Sequence, residues 1–202
     1  MTVPLTQVYA DVRVQMNASI ETPPLLSSDH EPPTVLNRLI RGALLTSWRE
    51  LLLARPQDAA DVALPLEGDI HWMGRPGHGA GWMALPADYL TLVTFRMNDW
   101  HRDATIVSAG SNAHARQQSR VPAIHGNPWR PVVVTEPSAF GQRLTFYTSQ
   151  GGNRAALTEA LYLPLPRVET DIHGCEVARL PRLLYDDIVL STAQRTLDIL
   201  RQ

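Results

Sequence analysis

The sequence contains no lysine: all 18 of its basic side chains are arginine. That absence excludes a Walker-type phosphate lysine, a Schiff-base lysine and a lysine general base. Arginine stays charged at any accessible pH and is no proton shuttle, but its planar fork suits carboxylates, phosphates and partner surfaces. A GC-rich coding sequence drifting toward arginine codons accounts for most of the bias, since exposed Arg and Lys are usually interchangeable outside bidentate or stacked sites. Cysteine is nearly absent too. Cys175 stands alone, so neither an intramolecular disulfide nor a cysteine zinc site is expected, which fits a reducing compartment. No run approaches the roughly 18 apolar residues of a spanning helix, and the first residues do not read as a signal peptide. The expectation is a soluble chain made inside the cell. No strong charge of either sign is present: the net charge is −2. Binding of nucleic acid through a general basic field is therefore not expected.

With 202 residues, 44% of them hydrophobic and 19% charged, the chain reads as one ordinary globular domain. Residues 1–34 read as an N-terminal arm and linker. Within them, 5–17 fit either a helical stripe (Leu5, Val8, Tyr9, Val12, Met16) or strand alternation (Val8, Ala10, Val12, Val14), and a short helix is preferred. Residues 21–33, with four prolines, read as a loop. Residues 35–65 read as helical, with a clear helix over 35–54, Thr34 as its N-cap, and a second short helix near 57–62. Residues 66–170 change texture. Glycine and proline separate short apolar runs, and strands are expected at 69–73, 81–84, 90–97, 104–108, 131–135, 143–148 and 160–164. The polar run 111–120 reads as an exposed loop or short helix. Residues 178–202 return to helix, with Leu183, Leu190, Ala193, Leu197 and Leu200 at helical spacing and Asp186 and Asp187 in the first turn. The expected fold is α+β. Helices from the N-terminal third and the C-terminus pack together, and an antiparallel β-rich insertion, a small sheet or barrel, lies between them in sequence.

No motif convincingly carries chemistry. The segment Gly74 to Gly81 has eight residues, four of them glycine, but neither the Gly-Lys-Ser/Thr ending of a phosphate loop nor the spacing of a dinucleotide fingerprint. It reads as a hairpin or exposed loop that could order against a partner. Of the seven histidines none forms a helical His-x-x-x-His pair. Asp99, His101 and Asp103 would share one face of a strand and are the densest set of potential metal ligands. A solvated polar turn is the more ordinary reading. His173 and Cys175 lie two residues apart, a separation that rarely aligns a nucleophile with its base. No Gly-x-Ser-x-Gly elbow is present. No catalytic residue, metal or cofactor is therefore expected. Four of the five tryptophans, at 72, 82, 100 and 129, lie near arginines or turns in the β-rich part. Trp and Arg are enriched in interface hot spots and are also ordinary core and rim residues.

One pattern goes further. Ala84-Leu85-Pro86-Ala87-Asp88-Tyr89-Leu90 introduces a strand, which is followed by Trp100-His101-Arg102-Asp103, Arg130-Pro131 and three valines, the strand 144–147, Ala160 to Pro166, and a terminal helix opening Leu180-Pro181-Arg182. This order, over roughly residues 35–200, resembles the neck or head–tail connector proteins of tailed bacteriophages. In that family a helical framework surrounds a β-rich segment introduced by a Leu-Pro-x-Asp turn. The resemblance implies a virion structural protein made in the bacterial host's cytoplasm and located in the neck between head and tail. Copies would form a homo-oligomeric ring on the portal protein and offer a surface to tail and neck proteins. Packaged DNA would pass through without sequence-specific binding, and no membrane would be involved. Leu85, Pro86 and Asp88 would form the structural turn. Arg75, His78, Trp82, Arg96, Trp100, Arg102, Trp129 and Arg130 would be the candidate subunit and partner contacts. Two other readings remain: a small metal-dependent enzyme using Asp99, His101 and Asp103, and a soluble protein-binding module with the glycine-rich loop at its recognition edge.

Overall fold

The computed structural model describes residues 1–18, 33–73, 79–117, 128–139, 141–149 and 155–201. In chain order the elements are β1 (Thr2–Pro4), α1 (Leu5–Ala18), α2 (Pro33–Ala54), a 3-10 turn (Pro56–Val62), β2 (Leu64–Pro65), β3 (His71–Met73), β4 (Gly79–Ala84), β5 (Tyr89–Met97), β6 (Thr105–Ser108), α3 (Asn112–Gln117), β7 (Val132–Ser138), β8 (Gly141–Ser149), β9 (Leu157–Pro164), β10 (Val168–Thr170), β11 (Glu176–Arg179), a 3-10 turn (Arg182–Leu184) and α4 (Tyr185–Leu200). The class is α+β, with helices at both ends of the chain. The chain divides into two compact units, Met1–Val62 with Leu165–Gln202, and Ala63–Pro164. The sequence reading expected one domain. The division falls where each unit can bury its own apolar set.

In the first unit, α1 and α2 both pack on α4. In α1 the helical period prevails over the strand alternative. Leu5, Val8, Val12 and Met16 are buried, whereas Val14, which alternation would place with Val12, is 65% exposed. Residues 2–18 are thus a built part of the unit and not an arm. Ile40, Ala43, Leu44, Ser47, Trp48 and Leu52 form the buried stripe of α2. Its last helical bond runs from the Arg55 N–H to the Leu51 carbonyl, and Pro56 ends it by lacking a donor. The stripe of α4 differs from the expected one. Leu183 is 76% exposed and Leu190 is exposed, and the buried face is Ile188, Val189, Thr192, Ala193, Thr196 and Leu197. The two threonines can lie there because each donates its hydroxyl to the carbonyl four residues back, Thr192 to Ile188 at 2.6 Å and Thr196 to Thr192 at 2.8 Å. A three-stranded antiparallel sheet, ordered β1-β11-β10, completes the unit. The expected β-rich segment ran to residue 170, but β10 belongs to this sheet and not to the insertion.

The second unit holds two open sheets, β2-β9-β5 and β3-β4-β8-β7-β6, and no closed barrel. Leu92, Phe95, Met97, Ala160 and Tyr162 from one sheet meet Met83, Val133, Leu144 and Phe146 from the other in a common core with Leu66 and Trp100. Period-two alternation assigns the faces. Val133, Leu144 and Phe146 point into this core, while Val132, Val134 and Tyr147 form a second cluster on the outer face of the five-stranded sheet. All pairings in the unit are antiparallel except β6 with β7, which is parallel. The expectation of an antiparallel insertion fails there because the chain between β6 and β7 is a crossover containing α3, and a crossover returns a strand in the same direction.

Candidate interaction surfaces

The turn after β5 sets the most exposed aromatic corner among the described residues of the second unit. The Trp100 N–H donates to the Met97 carbonyl at 3.1 Å, which closes the turn and drops the indole into the core against Phe95 and Phe146. The next residue points outward. The His101 N–H donates to the Pro128 carbonyl at 3.0 Å, and the Thr105 N–H to that of Pro131 at 2.8 Å. These two bonds fix residues 128–131 beside 101–105. They bring the His101 ring flat against Trp129, with centroids 3.7 Å apart and planes 15° apart. Trp129 is still 65% exposed, and Arg102 and Arg130 flank the pair, both exposed. An exposed aromatic plate next in sequence to two exposed arginines suits contact with carboxylates and apolar edges of a partner.

Asp99, His101 and Asp103 lie in this turn and not on a strand, so the shared face expected of them does not form. Among the described residues no three His, Cys, Asp or Glu side chains assemble into a potential metal site. Arg75 and His78 lie outside the described residues, as do His30, His125 and most of the glycine-rich loop. Gly79 to Gly81 are part of β4 and not of a loop. Trp82 is half-buried and stacks on His71 at 4.2 Å. Arg96 is half-buried on β5, with Glu159 opposite on β9. Trp100 is a core residue and cannot be a surface contact of the folded unit. Leu85, Pro86 and Asp88 form the turn before β5: the Tyr89 N–H donates to the Pro86 carbonyl at 3.0 Å, and Asp88 accepts the Tyr162 hydroxyl at 3.1 Å. His173 and Cys175 sit in the β10–β11 hairpin, where their backbone N–H groups both donate to Asp171 Oδ1 at 2.8 Å.

Two sites went unread in the sequence. The first is a polar network on the outer face of the five-stranded sheet. The run 111–120 was expected to be exposed, yet His114 and Gln117 are buried. His114 Nδ1 accepts the Gly110 N–H at 3.0 Å, which leaves the proton of the neutral ring on Nε2, 2.9 Å from the Tyr147 hydroxyl and 3.6 Å from Glu136 Oε1. Glu136 Oε2 accepts from Arg143 Nη2 at 2.9 Å, Arg143 Nε at 3.2 Å and the Thr145 hydroxyl at 3.2 Å. The network pins α3 to the sheet. Ser111, whose hydroxyl accepts the His114 N–H at 3.2 Å, caps the helix and was the available signal.

The second is a groove of about 210 Å³ between α1 and α4, lined by Asp11, Val14, Gln15, Tyr185, Asp186 and Val189. The Tyr185 hydroxyl donates to Asp11 Oδ2 at 2.5 Å. Burial, the bond to Asp11 and the charges of Asp11 and Asp186 push the Tyr185 phenol well above its ordinary range, so it stays neutral. Its parts lie about 175 residues apart in sequence, which is why spacing alone could not join them.

Among the described residues no helix is long and apolar enough to cross a membrane. No protein-family model matches the chain, and no curated protein matches it significantly.

Proposed function

We propose that the chain is a structural subunit of a tailed-phage neck, a head–tail connector that assembles as a homo-oligomeric ring on the portal and receives tail or neck proteins. The observation that carries the reading is the exposed, rigid corner of Trp129 on His101 flanked by Arg102 and Arg130. Its chemistry is that of protein–protein contact: large aromatic area at low entropic cost, with bidentate donors beside it. A chain that folds a helical unit from its two ends, with a β-rich unit inserted, also agrees with the family pattern that the Leu85-Pro86-Ala87-Asp88 turn suggests. The net charge of −2 suits a conduit that lets DNA pass without gripping it. Solution mass measurement and negative-stain imaging, alone and with purified portal rings, test the proposal. Rings, or subunits bound to portal, are expected, and Trp129→Ser with Arg130→Ser should weaken that binding. A chain that is monomeric and ignores portal rings would refute it.

A further inference from the structure

In the first unit nearly every described carboxylate meets a cation. Arg41 pairs with Glu176, Arg55 with Asp187 and Asp58, Arg167 with Glu169, Arg195 with Glu50, Arg201 with Asp198, and the N-terminal amine with Asp61. Asp171 instead receives two backbone N–H groups. Asp11 and Asp186 are what remains, and both line the groove between α1 and α4. Among the described residues Asp11 accepts only neutral donors, Gln7 and Tyr185, and no cation reaches Asp186. Beside the two charges the groove offers the exposed Val14, the floor of Val189 and the Tyr185 ring. At about 210 Å³ it is smaller than the roughly 300–1,000 Å³ of small-molecule pockets and of a size for a single side chain. An arginine meets each feature: a fork for the carboxylates, a methylene stem for the valines and a flat cation for the phenol face.

We propose that this groove is a socket for an arginine of a second copy of the chain, and that Arg102 is that arginine. The inference rests on the reading of the chain as a self-assembling subunit. The chain has no lysine, so the permanently charged side chain another copy can supply is an arginine, and the N-terminal amine is held on Leu180 and Asp61. Arg102 is exposed and makes no ion pair among the described residues, as is also true of Arg38, Arg49, Arg116, Arg179 and Arg182. Arg102 alone of these sits on the turn beside the His101–Trp129 stack, the corner that the proposed function takes as a partner contact. A contact between two different patches on two copies is heterologous, the kind that closes into a ring when its rotation permits.

Sedimentation velocity of the full chain at low and high salt tests the socket, using Asp186→Arg, Arg102→Asp and the two together. Each single reversal should weaken self-association at least about tenfold, and the exchange should restore it. Asp186→Asn, with a thermal melt to confirm folding, should weaken it less than reversal does. Single variants that associate like the wild type overturn the socket and leave the connector reading standing. An exchange that fails to restore association overturns the assignment of Arg102. A wild-type chain that stays monomeric overturns the socket as well, and capture by portal rings, assayed in parallel, then decides whether the connector reading falls with it.

Discussion

Replacing Gly81 with alanine tests the packing of the second unit at one atom. Gly81 lies on β4 with Phe146 opposite on β8 and Trp72 opposite on β3. A Cβ built there would sit 2.4 Å from Phe146 Cζ, closer than carbon atoms approach, and 3.0 Å from Cε1 and Cε2, a tight contact. The Phe146 ring cannot swing aside. It is fully buried, with Trp72 edge-on at 5.5 Å, Phe95 at 5.7 Å and Trp100 at 6.2 Å. Glycine is thus required for steric reasons, whatever its backbone freedom. Overpacking a filled core costs about 1–3 kcal/mol, which lowers the melting temperature of a chain this size by about 2–12 °C. Urea unfolding followed by tryptophan fluorescence measures the loss. The diagnostic partner is Phe146→Leu, which removes the ring carbons that collide. It destabilises on its own, by less than the roughly 3–5 kcal/mol of full truncation. In the double variant the two costs should fall short of their sum by at least about 0.5 kcal/mol. A neutral Gly81→Ala, or strict additivity, would refute the steric account.

Leu144→Ala, at a fully buried position of β8, should cost about 2–5 kcal/mol in the same assay, far more than Leu190→Ala on the exposed side of α4. Glu136→Ala strands the buried Thr145 hydroxyl and releases Arg143, and a loss of about 1–3 kcal/mol by chemical denaturation is expected. The folded chain holds the Tyr185 proton more tightly than the unfolded chain, so that stability is complete below pH about 10 and falls as pH rises beyond it. Tyr185→Phe should flatten the fall in thermal melts across the alkaline range. A slope remains from Tyr9 and Tyr89, whose phenols burial also raises; equal slopes in wild type and variant would contradict the assignment.

Periodicity exposed most of the second unit because its strands bury one face or both. Arg143 to Thr148 alternate, and Leu144 and Phe146 face the core as that alternation requires. It misjudged α4 because a threonine counts as polar in the pattern, yet Thr192 and Thr196 satisfy their hydroxyls within the helix and behave as buried volume. The strands β1, β2, β10 and β11, of two to four residues each, went unread; at that length a period barely registers, and β3 and β6, no longer, were found only because glycine and proline bound their apolar runs. The groove was illegible for a different reason. It is made by Asp11 and Tyr185, from opposite ends of the chain, and only packing brings them together.

The absence of lysine takes on a more definite sense in the folded chain. Exposed ion pairs contribute little stability, so the clamps Arg41–Glu176, Arg55–Asp187 and Arg195–Glu50 serve mainly to fix which faces of the first unit meet. Arg143 on the half-buried Glu136 is the stronger case, since one oxygen takes two of its donors away from bulk water. Arginines matched within the chain have no charge left to offer a partner. Among the described residues, Arg102 beside an exposed tryptophan and the two aspartates around a groove that fits one side chain make no ion pair and keep their charge for a partner. Their opposite charges are complementary, and complementary charge sets association rate and register more than affinity. If these surfaces meet, raising the salt should therefore slow assembly more than it hastens dissociation, whereas contacts held by apolar burial alone would show no such asymmetry.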